Sequence, residues 1–229
     1  MFPTQLTSRL IQIHTKNKGE VVLDPFLGSG STVVSAYKLG QKGIGFELSK
    51  EYIKLSESRI KETQLNLEQK PEDLIKPEIY NKTIFDIPKT LKEDSVDLVI
   101  TSPPYWDILN AKRSADRKEI RNYSNSKDDL GNIADYQEFL NKLKTGFEGV
   151  YKVLKKGKYC IVVVMDIRKK AKFYPFHMDV VNKMQEIGFE LDDIIIWDRQ
   201  KEYNNMRPLG YPFVFRVNKV HEFILIFRK

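Results

Sequence analysis

A segment rich in glycine, DPFLGSG at residues 24–30, separates a short apolar run from an amphipathic one. Glycine has no Cβ, so Gly28 and Gly30 let the backbone turn sharply and approach a ligand closely. Glu47 ends the next apolar run, and a carboxylate at such a strand end can accept hydrogen bonds from two ribose hydroxyls. Together these residues predict a site for a cofactor that contains ribose.

The charge beside the glycines indicates which ribosyl cofactor fits. Dinucleotide sites use the pattern G-x-G-x-x-G/A and place a pyrophosphate at a helix N-terminus. Here Val33 occupies the third glycine position, and the acidic Asp24 opens the loop. A carboxylate repels phosphate but attracts an ammonium group. S-adenosylmethionine carries ribose and an amino group but no phosphate, so it fits better than NAD. The alternative is a plain turn in which Asp24 caps a helix.

A second segment, TSPPYW at residues 101–106, directly follows another buried apolar run. Two consecutive prolines fix φ and remove two backbone donors, so their carbonyl oxygens remain as rigidly held acceptors. Ser102 adds a hydroxyl, and Tyr105 adds a flat, partly polar face. Acceptors beside an aromatic ring suit an amino group on a planar ring. The alternative is a structural turn at the end of a strand.

Three motifs, DPFLGSGST, GFELSKEY and DLVITSPPYW, together resemble the amino-group DNA methyltransferases, which make N4-methylcytosine or N6-methyladenine. The resemblance covers nearly the whole chain, because FPTQL at residues 2–6 and the ending HEFILIFRK also match the family's pattern. It implies S-adenosyl-L-methionine as the cofactor, no metal, and DNA as the substrate. The cofactor-binding residues that it implies are Thr4, Asp24, Pro25, Phe26, Gly28, Ser29, Gly30, Glu47, Leu48 and Asp86, and the catalytic residues are Ser102, Pro103, Pro104 and Tyr105.

The chain departs from the family's pattern in two respects. In the subgroup with the wording DPF-x-GSG the catalytic tetrapeptide usually precedes the glycine loop, whereas here the glycine loop comes first. We also expect a single domain, 1–229, without a separate target-recognition domain, so the polar connections 106–133 and 199–219 are the candidate DNA-contacting loops. Their candidate DNA-binding residues are Trp106, Lys112, Arg113, Tyr203, Arg207 and Arg216. Whether a recognition subunit or a companion restriction endonuclease accompanies the chain stays open.

Ser102 favours N4-methylcytosine over N6-methyladenine as the product. Adenine enzymes of the family usually carry Asp or Asn at this position, and cytosine-N4 enzymes usually carry Ser. A hydroxyl accepts one N–H bond and still donates its own proton, whereas an ionised carboxylate only accepts and is repelled by the cytosine acceptors N3 and O2. The alternatives are adenine N6, an RNA or protein amino group, and a non-catalytic DNA-binding subunit with the same fold. Carbon-5 methylation is disfavoured because it needs a cysteine nucleophile, and Cys160 lies inside an apolar run.

These motifs need a framework that brings strand ends together, and the rest of the sequence predicts one. Apolar runs alternate with amphipathic stretches, which indicates a three-layer α/β fold with a mostly parallel sheet and ligands at the carboxyl ends of its strands. With the resemblance, this implies a Rossmann-like class I methyltransferase fold of seven strands with an antiparallel C-terminal hairpin. The predicted strands are 19–24, 43–47, 95–102, 158–166, 189–197 and 221–229, and the predicted helices are 31–39, 49–67, 136–154 and 174–187.

The composition is that of a globular protein whose charge permits a polyanionic partner. The 229 residues are 41% hydrophobic and 30% charged, which excludes global disorder. The net charge of +7 is compatible with nucleic acid without requiring it. A single cysteine excludes an internal disulfide, and the longest apolar run, 160–165, is far shorter than the ~18 residues of a membrane span. Because the N-terminus lacks a signal-peptide core, we expect a cytoplasmic protein.

Overall fold

The computed structural model describes residues 2–65, 74–107, 129–169, 171–201, 208–209, 212–213, 216–217 and 219–229. In this part of the chain the strands are β1 (Val21–Asp24), β2 (Lys42–Phe46), β3 (Glu78–Tyr80), β4 (Val96–Thr101), β5 (Leu154–Val164), β6 (Ile167–Lys169), β7 (Lys172–Tyr174), β8 (Glu190–Asp198), β9 (Pro208–Leu209), β10 (Arg216–Val217) and β11 (His221–Arg228). The helices are α1 (Thr4–His14), α2 (Ser31–Lys38), α3 (Lys50–Leu65), α4 (Ile87–Thr90), α5 (Tyr136–Val153) and α6 (Phe176–Ile187).

A seven-stranded sheet organises the protein, with strands in the order β3-β2-β1-β4-β5-β11-β8. Strands β1 to β5 pair in parallel, whereas β11 runs antiparallel to both of its neighbours, β5 and β8. The mostly parallel sheet and the antiparallel C-terminal strands are therefore as predicted. The carboxyl ends of β1, β2, β4 and β5 meet at one edge, which is where ligands bind in sheets of this kind.

Helices cover both faces of the sheet, so the predicted three layers are present. Alternate residues of β5 point to opposite faces: Cys160 and Val162 pack with α5 and α6, while Ile161 and Val163 pack with α1 and α2. The apolar stripe of α5, with Phe139 and its neighbours one turn apart, is fully buried on the first face. No helix in the described ranges has the length and apolar character to traverse a bilayer.

Several predicted boundaries are wrong for identifiable reasons. Helix α5 ends at Val153 and β5 begins at once at Leu154, four residues before the predicted strand, so Gly157 lies within the strand with a φ of +74°. Helix α6 begins at Phe176, after Pro175, because Tyr174 instead ends the short strand β7. Strands β3, β6 and β7 were not predicted, since each is only three residues long.

Candidate active site

The glycine loop between β1 and α2 is shaped by two residues with left-handed backbone. Gly28 has a φ of +52° and Gly30 a φ of +82°, conformations that strongly favour glycine. A Cβ added at Gly30 would come within 2.7 Å of the Ser56 Cβ, so this glycine lets α3 pack closely on the loop. Among the described residues, a Cβ added at Gly28 would meet only the Phe26 carbonyl oxygen, 4.0 Å away. Within this part of the chain, the loop is therefore uncrowded at Gly28.

Arg59 on α3 forms hydrogen bonds with this loop. Its Nη1 donates to the Ser29 carbonyl oxygen at 2.6 Å and to the Ser29 hydroxyl at 2.9 Å. Arg59 was not among the residues predicted from the sequence. The available signal is its spacing of three residues from Ser56, which places both side chains on one face of α3.

The Glu47 carboxylate lies between the glycine loop and the start of α3. Oε2 accepts from the Gly28 N–H at 2.8 Å, and Oε1 accepts from the Ser49 N–H at 2.8 Å. Burial raises the pKa of this carboxyl above its usual value, and the nearby Asp129 adds to the rise. Each carboxylate oxygen can accept a further hydrogen bond, so the pair is suited to a ribose diol.

The backbone that follows Glu47 is fixed by a residue that was not predicted from the sequence. The side-chain amide of Asn81, directly after β3, donates to the carbonyl oxygens of Glu47 and Leu48, both at 2.9 Å. The neighbouring strand thus holds the segment in which Glu47 and Leu48 were predicted to bind the cofactor. Asn81 follows a three-residue strand that was itself not predicted, so no pattern in the sequence indicated this interaction.

Replacing Glu47 by alanine is expected to weaken S-adenosylmethionine binding by roughly 1–3 kcal/mol, or about 5- to 150-fold, because two hydrogen bonds to ribose hydroxyls are removed. Isothermal titration calorimetry measures this directly. The matched control is Glu20→Ala, since Glu20 also accepts two backbone N–H bonds but precedes β1 at the opposite edge of the sheet. Equal affinities for both variants and the unmodified protein would place the ribose elsewhere.

Asp24 connects the two sequence motifs. Its carboxylate is almost fully buried, and its Oδ1 accepts from the Thr101 hydroxyl at 2.7 Å and from the Phe26 N–H at 3.1 Å. Burial raises the pKa of Asp24 to about 6. Thr101 is the last residue of β4 and directly precedes the Ser-Pro-Pro-Tyr tetrapeptide. The glycine loop and the tetrapeptide therefore lie side by side at the carboxyl edge.

The tetrapeptide itself leaves β4 with Ser102 and Tyr105 partly buried. The two side-chain oxygens of Ser102 and Tyr105 lie 3.5 Å apart, and the Tyr105 ring meets the Phe176 ring edge-on, with centroids 6.2 Å apart. Pro103 is buried and Pro104 is half-buried. A hydroxyl, a phenol ring and a rigid Pro-Pro backbone thus converge at one point.

Trp106, predicted to contact DNA, is buried, and its contact with DNA stays a prediction. Only 5% of its surface is exposed, and its ring packs edge-on against Tyr136 and Tyr174, with centroids 5.1 and 5.2 Å away. Its φ of +52° turns the chain sharply after Tyr105 and directs the indole into this aromatic cluster. Trp106 supports the tetrapeptide from inside the protein.

Two other predicted cofactor residues have structural partners of their own. The carbonyl oxygen of Thr4, at the start of α1, accepts from the Ser35 hydroxyl at 3.1 Å, which ties α1 to α2 beside the glycine loop. The Asp86 carboxylate accepts from the N–H and hydroxyl of Thr83, both at 3.2 Å, and so caps a short 3-10 helix, Ile84–Asp86. Binding of the cofactor by Thr4 or Asp86 stays a prediction.

An acid–imidazole pair lies next to the tetrapeptide. Asp166, just beyond the carboxyl end of β5, has its Oδ1 2.6 Å from His177 Nδ1. The His177 ring stacks on Phe223 with centroids 3.9 Å apart. His177 adjoins Phe176, whose ring contacts Tyr105. The Asp166–His177 pair therefore anchors the start of α6, whose Phe176 contacts Tyr105.

Four of the six predicted DNA-binding residues lie outside the described residues. These are Lys112 and Arg113 in one loop, and Tyr203 and Arg207 in the other. Arg216 is described: it is half-buried in β10, which pairs with β9 in a small antiparallel ribbon. Binding of DNA by these residues stays a prediction.

Comparison with known proteins identifies the family. The family model of the N6/N4 methyltransferases, described as "DNA methylase", matches residues 1–58 and 96–229, well over half of the chain. This chain belongs to the N6/N4 DNA methylase family. The resemblance drawn from the three motifs is therefore confirmed. S-adenosylmethionine is the methyl donor on which this family depends.

Curated members of the family share sequence with parts of the chain. The type II methyltransferase M.MthZI of Methanothermobacter thermautotrophicus is 45% identical over 162 residues, which cover 66% of this chain and 44% of that protein. The type II methyltransferase M2.DpnII of Streptococcus pneumoniae is 45% identical over 58 residues, 25% of this chain and 21% of that protein. The matches thus span less than half the length of these relatives.

Solved structures show the same fold at low sequence identity. TrmN from Thermus thermophilus superposes with a TM-score of 0.60 at 14% identity, over 99% of this chain and 48% of that one. A SAM-dependent methyltransferase from Methanosarcina mazei gives a TM-score of 0.59 at 15% identity, over 96% of both chains. The predicted Rossmann-like methyltransferase fold is confirmed.

The residues at the carboxyl edge fit S-adenosylmethionine. Within the described part of the chain, Glu47 has acceptor capacity left for ribose hydroxyls and no side chain crowds Gly28, while Asp24 offers negative charge for a cationic ligand. A dinucleotide phosphate would instead face two buried carboxylates, which disfavours it electrostatically. These residues therefore fit S-adenosylmethionine, the cofactor of the family.

Proposed function

We propose that this protein methylates the exocyclic amino group of a base in DNA, with cytosine N4 as the favoured target. The main support for this proposal is the 2.7 Å hydrogen bond that the Thr101 hydroxyl donates to the Asp24 carboxylate, because it joins the start of the tetrapeptide to the glycine loop. A methyl donor held by Asp24 and Glu47 would then lie next to a base held at Ser102. The membership of the chain in the N6/N4 DNA methylase family supports the same reaction.

The tetrapeptide would prepare the amino nitrogen for attack. The lone pair of this nitrogen is delocalised into the base ring, which makes it a poor nucleophile. Hydrogen bonds from its N–H groups to Ser102 Oγ and to the Pro103 carbonyl oxygen favour a more tetrahedral nitrogen with a localised lone pair. The Tyr105 ring, braced by Phe176, offers a face on which the base stacks.

When bound, S-adenosylmethionine supplies an electrophilic sulfonium methyl group. The chain's own contribution is to hold the amino nitrogen in line with that methyl group and to exclude water from it. After transfer the amine carries an extra proton, which passes by way of the Ser102 hydroxyl to solvent. Because a base inside a duplex cannot reach a cleft at a sheet edge, the target base must be flipped out of the helix.

The neutral side chain at position 102 favours cytosine. Cytosine presents two acceptors, the ring nitrogen N3 and the carbonyl oxygen O2, on the edge that bears its amino group, whereas adenine presents only N1. Ser102 can accept from the amino group and donate its own proton to Tyr105 Oη, 3.5 Å away. A carboxylate there would be repelled by both cytosine acceptors.

Analysis of the reaction product tests this function. Unmethylated DNA is incubated with the protein and labelled cofactor, digested to nucleosides and separated, with RNA as a parallel substrate. We expect label in N4-methyldeoxycytidine. Label in N6-methyldeoxyadenosine would overturn the choice of base but not the reaction, whereas label in RNA alone would overturn DNA as the substrate.

A further inference from the structure

A small hairpin beside the catalytic tetrapeptide has one anchored face and one exposed face. Strands β6 and β7 pair Ile167 with Tyr174 and Arg168 with Phe173. Ile167 is fully buried and Tyr174 packs against Trp106, so this pair faces the core. Arg168 and Phe173 form the opposite pair and are exposed. The hairpin thus presents a cation and an aromatic ring outward.

Lys169 fastens the hairpin to the segment that follows the tetrapeptide. Its Nζ lies 3.9 Å from the centre of the Trp106 ring and 2.5 Å from the Asp107 carboxylate. Trp106 and Asp107 come directly after Tyr105 in the chain. The hairpin is consequently held in a fixed position next to the residues proposed to bind the base.

The exposed face carries positive charge around Phe173. The Arg168 guanidinium carbon lies 5.1 Å and the Lys219 Nζ 4.9 Å from the centre of the Phe173 ring. Lys172 on the same hairpin is also exposed. Among the described residues, no carboxylate forms an ion pair with Arg168 or Lys172. We call Arg168, Lys172, Phe173 and Lys219 the hairpin cluster.

We propose that the hairpin cluster binds the sugar–phosphate backbone of DNA beside the flipped-out base, with Phe173 stacking on an unpaired neighbouring base. This inference rests on the proposed function and adds the hairpin 167–174 to the two loops predicted from sequence, of which Lys219 ends the second. Unneutralised Arg and Lys side chains bind phosphates, and exposed aromatic rings bind unpaired bases. The cluster combines both chemistries at the edge of the sheet where the base must enter.

The salt dependence of DNA binding separates a local interaction from an effect of net charge. The test variant is Arg168→Gln with Lys172→Gln. The control is Lys92→Gln with Lys156→Gln, which removes the same charge from exposed lysines near the amino ends of β4 and β5, at the opposite edge. Fluorescence anisotropy with a labelled random-sequence duplex is recorded over a series of KCl concentrations.

We expect the log–log salt slope of the test variant to fall by about 0.9 for each phosphate that is no longer bound, so by nearly two in all, while the control keeps the original slope. Equal slopes in the two variants would overturn the hairpin inference and leave the proposed function intact. A complete lack of salt-dependent DNA binding by the unmodified protein would instead overturn the proposed function. Cofactor affinity, measured on each variant, should stay unchanged.

The aromatic part of the inference has its own test. Phe173→Ala should weaken binding of a labelled single-stranded oligonucleotide about tenfold, because stacking on one base is removed. Binding equal to that of the unmodified protein would exclude stacking on Phe173. The expected pattern is weaker binding of single strands with an unchanged salt slope, since no cation is removed.

Discussion

Replacing Ser102 by alanine is expected to slow methyl transfer about 100- to 1000-fold while leaving cofactor affinity unchanged. The magnitude is that of removing one preorganised hydrogen-bonding group from a reacting centre. Ser102 is the first residue after β4, and its hydroxyl lies 3.5 Å from the Tyr105 hydroxyl, so alanine removes an acceptor without altering the strand. Single-turnover kinetics with saturating cofactor isolate the transfer step.

The control for this substitution lies beside the same strand. Ser95 directly precedes β4 at the opposite edge, and its hydroxyl donates to the Lys92 carbonyl oxygen at 2.6 Å. Ser95→Ala makes the same chemical change far from the tetrapeptide and should leave the transfer rate unaltered. If Ser102→Ala instead reduced cofactor affinity at an unchanged transfer rate, the tetrapeptide would belong to the cofactor site and not to the base pocket.

The sequence predicted those parts of the candidate site that are short, contiguous motifs. The glycine loop and the tetrapeptide each follow a buried apolar strand, and strand ends in a parallel sheet meet at one edge. Their connection through Asp24 and Thr101 follows from the adjacency of β1 and β4. Local pattern and sheet topology together were sufficient for these residues.

The parts that sequence did not predict depend on interactions between distant segments. Arg59 reaches Ser29 across 30 residues, and Asn81 reaches Glu47 across 34. Asn81 carries no local signal, and the spacing of Arg59 from Ser56 indicates only that the two share a helix face. Arg on an amphipathic helix and Asn after a strand usually face solvent. The hairpin at 167–174 was not predicted because its strands are only three residues long and its cation-rich sequence resembles a surface loop. Tertiary packing of Ile167 and Tyr174 makes it a hairpin.

The buried carboxylate of Asp24 should make the protein less stable as the pH rises from about 4 to 6. Its pKa is raised from 3.8 to about 6 by burial, so the folded state binds the proton more tightly than the unfolded chain does. Above this window the ionised carboxylate costs on the order of 2–3 kcal/mol of folding free energy. Asp24→Asn removes that cost, so it should raise the urea midpoint at pH 8 and have little effect at pH 4.

The same substitution should weaken cofactor binding, because a neutral amide does not attract an ammonium group. For the unmodified protein, affinity should rise with pH across the window in which Asp24 ionises, whereas for Asp24→Asn it should stay flat. Calorimetric titrations at several pH values measure both. Both results together would show that the ionised Asp24 carboxylate lowers the stability of the fold but strengthens binding of the cationic cofactor.

Asp97 provides a control of opposite sign for the stability measurement. It is also almost fully buried, but at the opposite edge of the sheet, where it pairs with Lys155 at 2.8 Å. Burial alone would raise the pKa of Asp97, yet the bond from Lys155 and the backbone N–H of Val21 hold it below its usual value. Asp97→Asn should therefore lower stability at pH 8, because a paired carboxylate stabilises the fold above its unfolded pKa. If Asp24→Asn also lowered stability at pH 8, the hydrogen bonds from Thr101 and Phe26 would fully offset the free-energy cost of burying the ionised Asp24 carboxylate. A cationic ligand would then gain nothing by neutralising that charge.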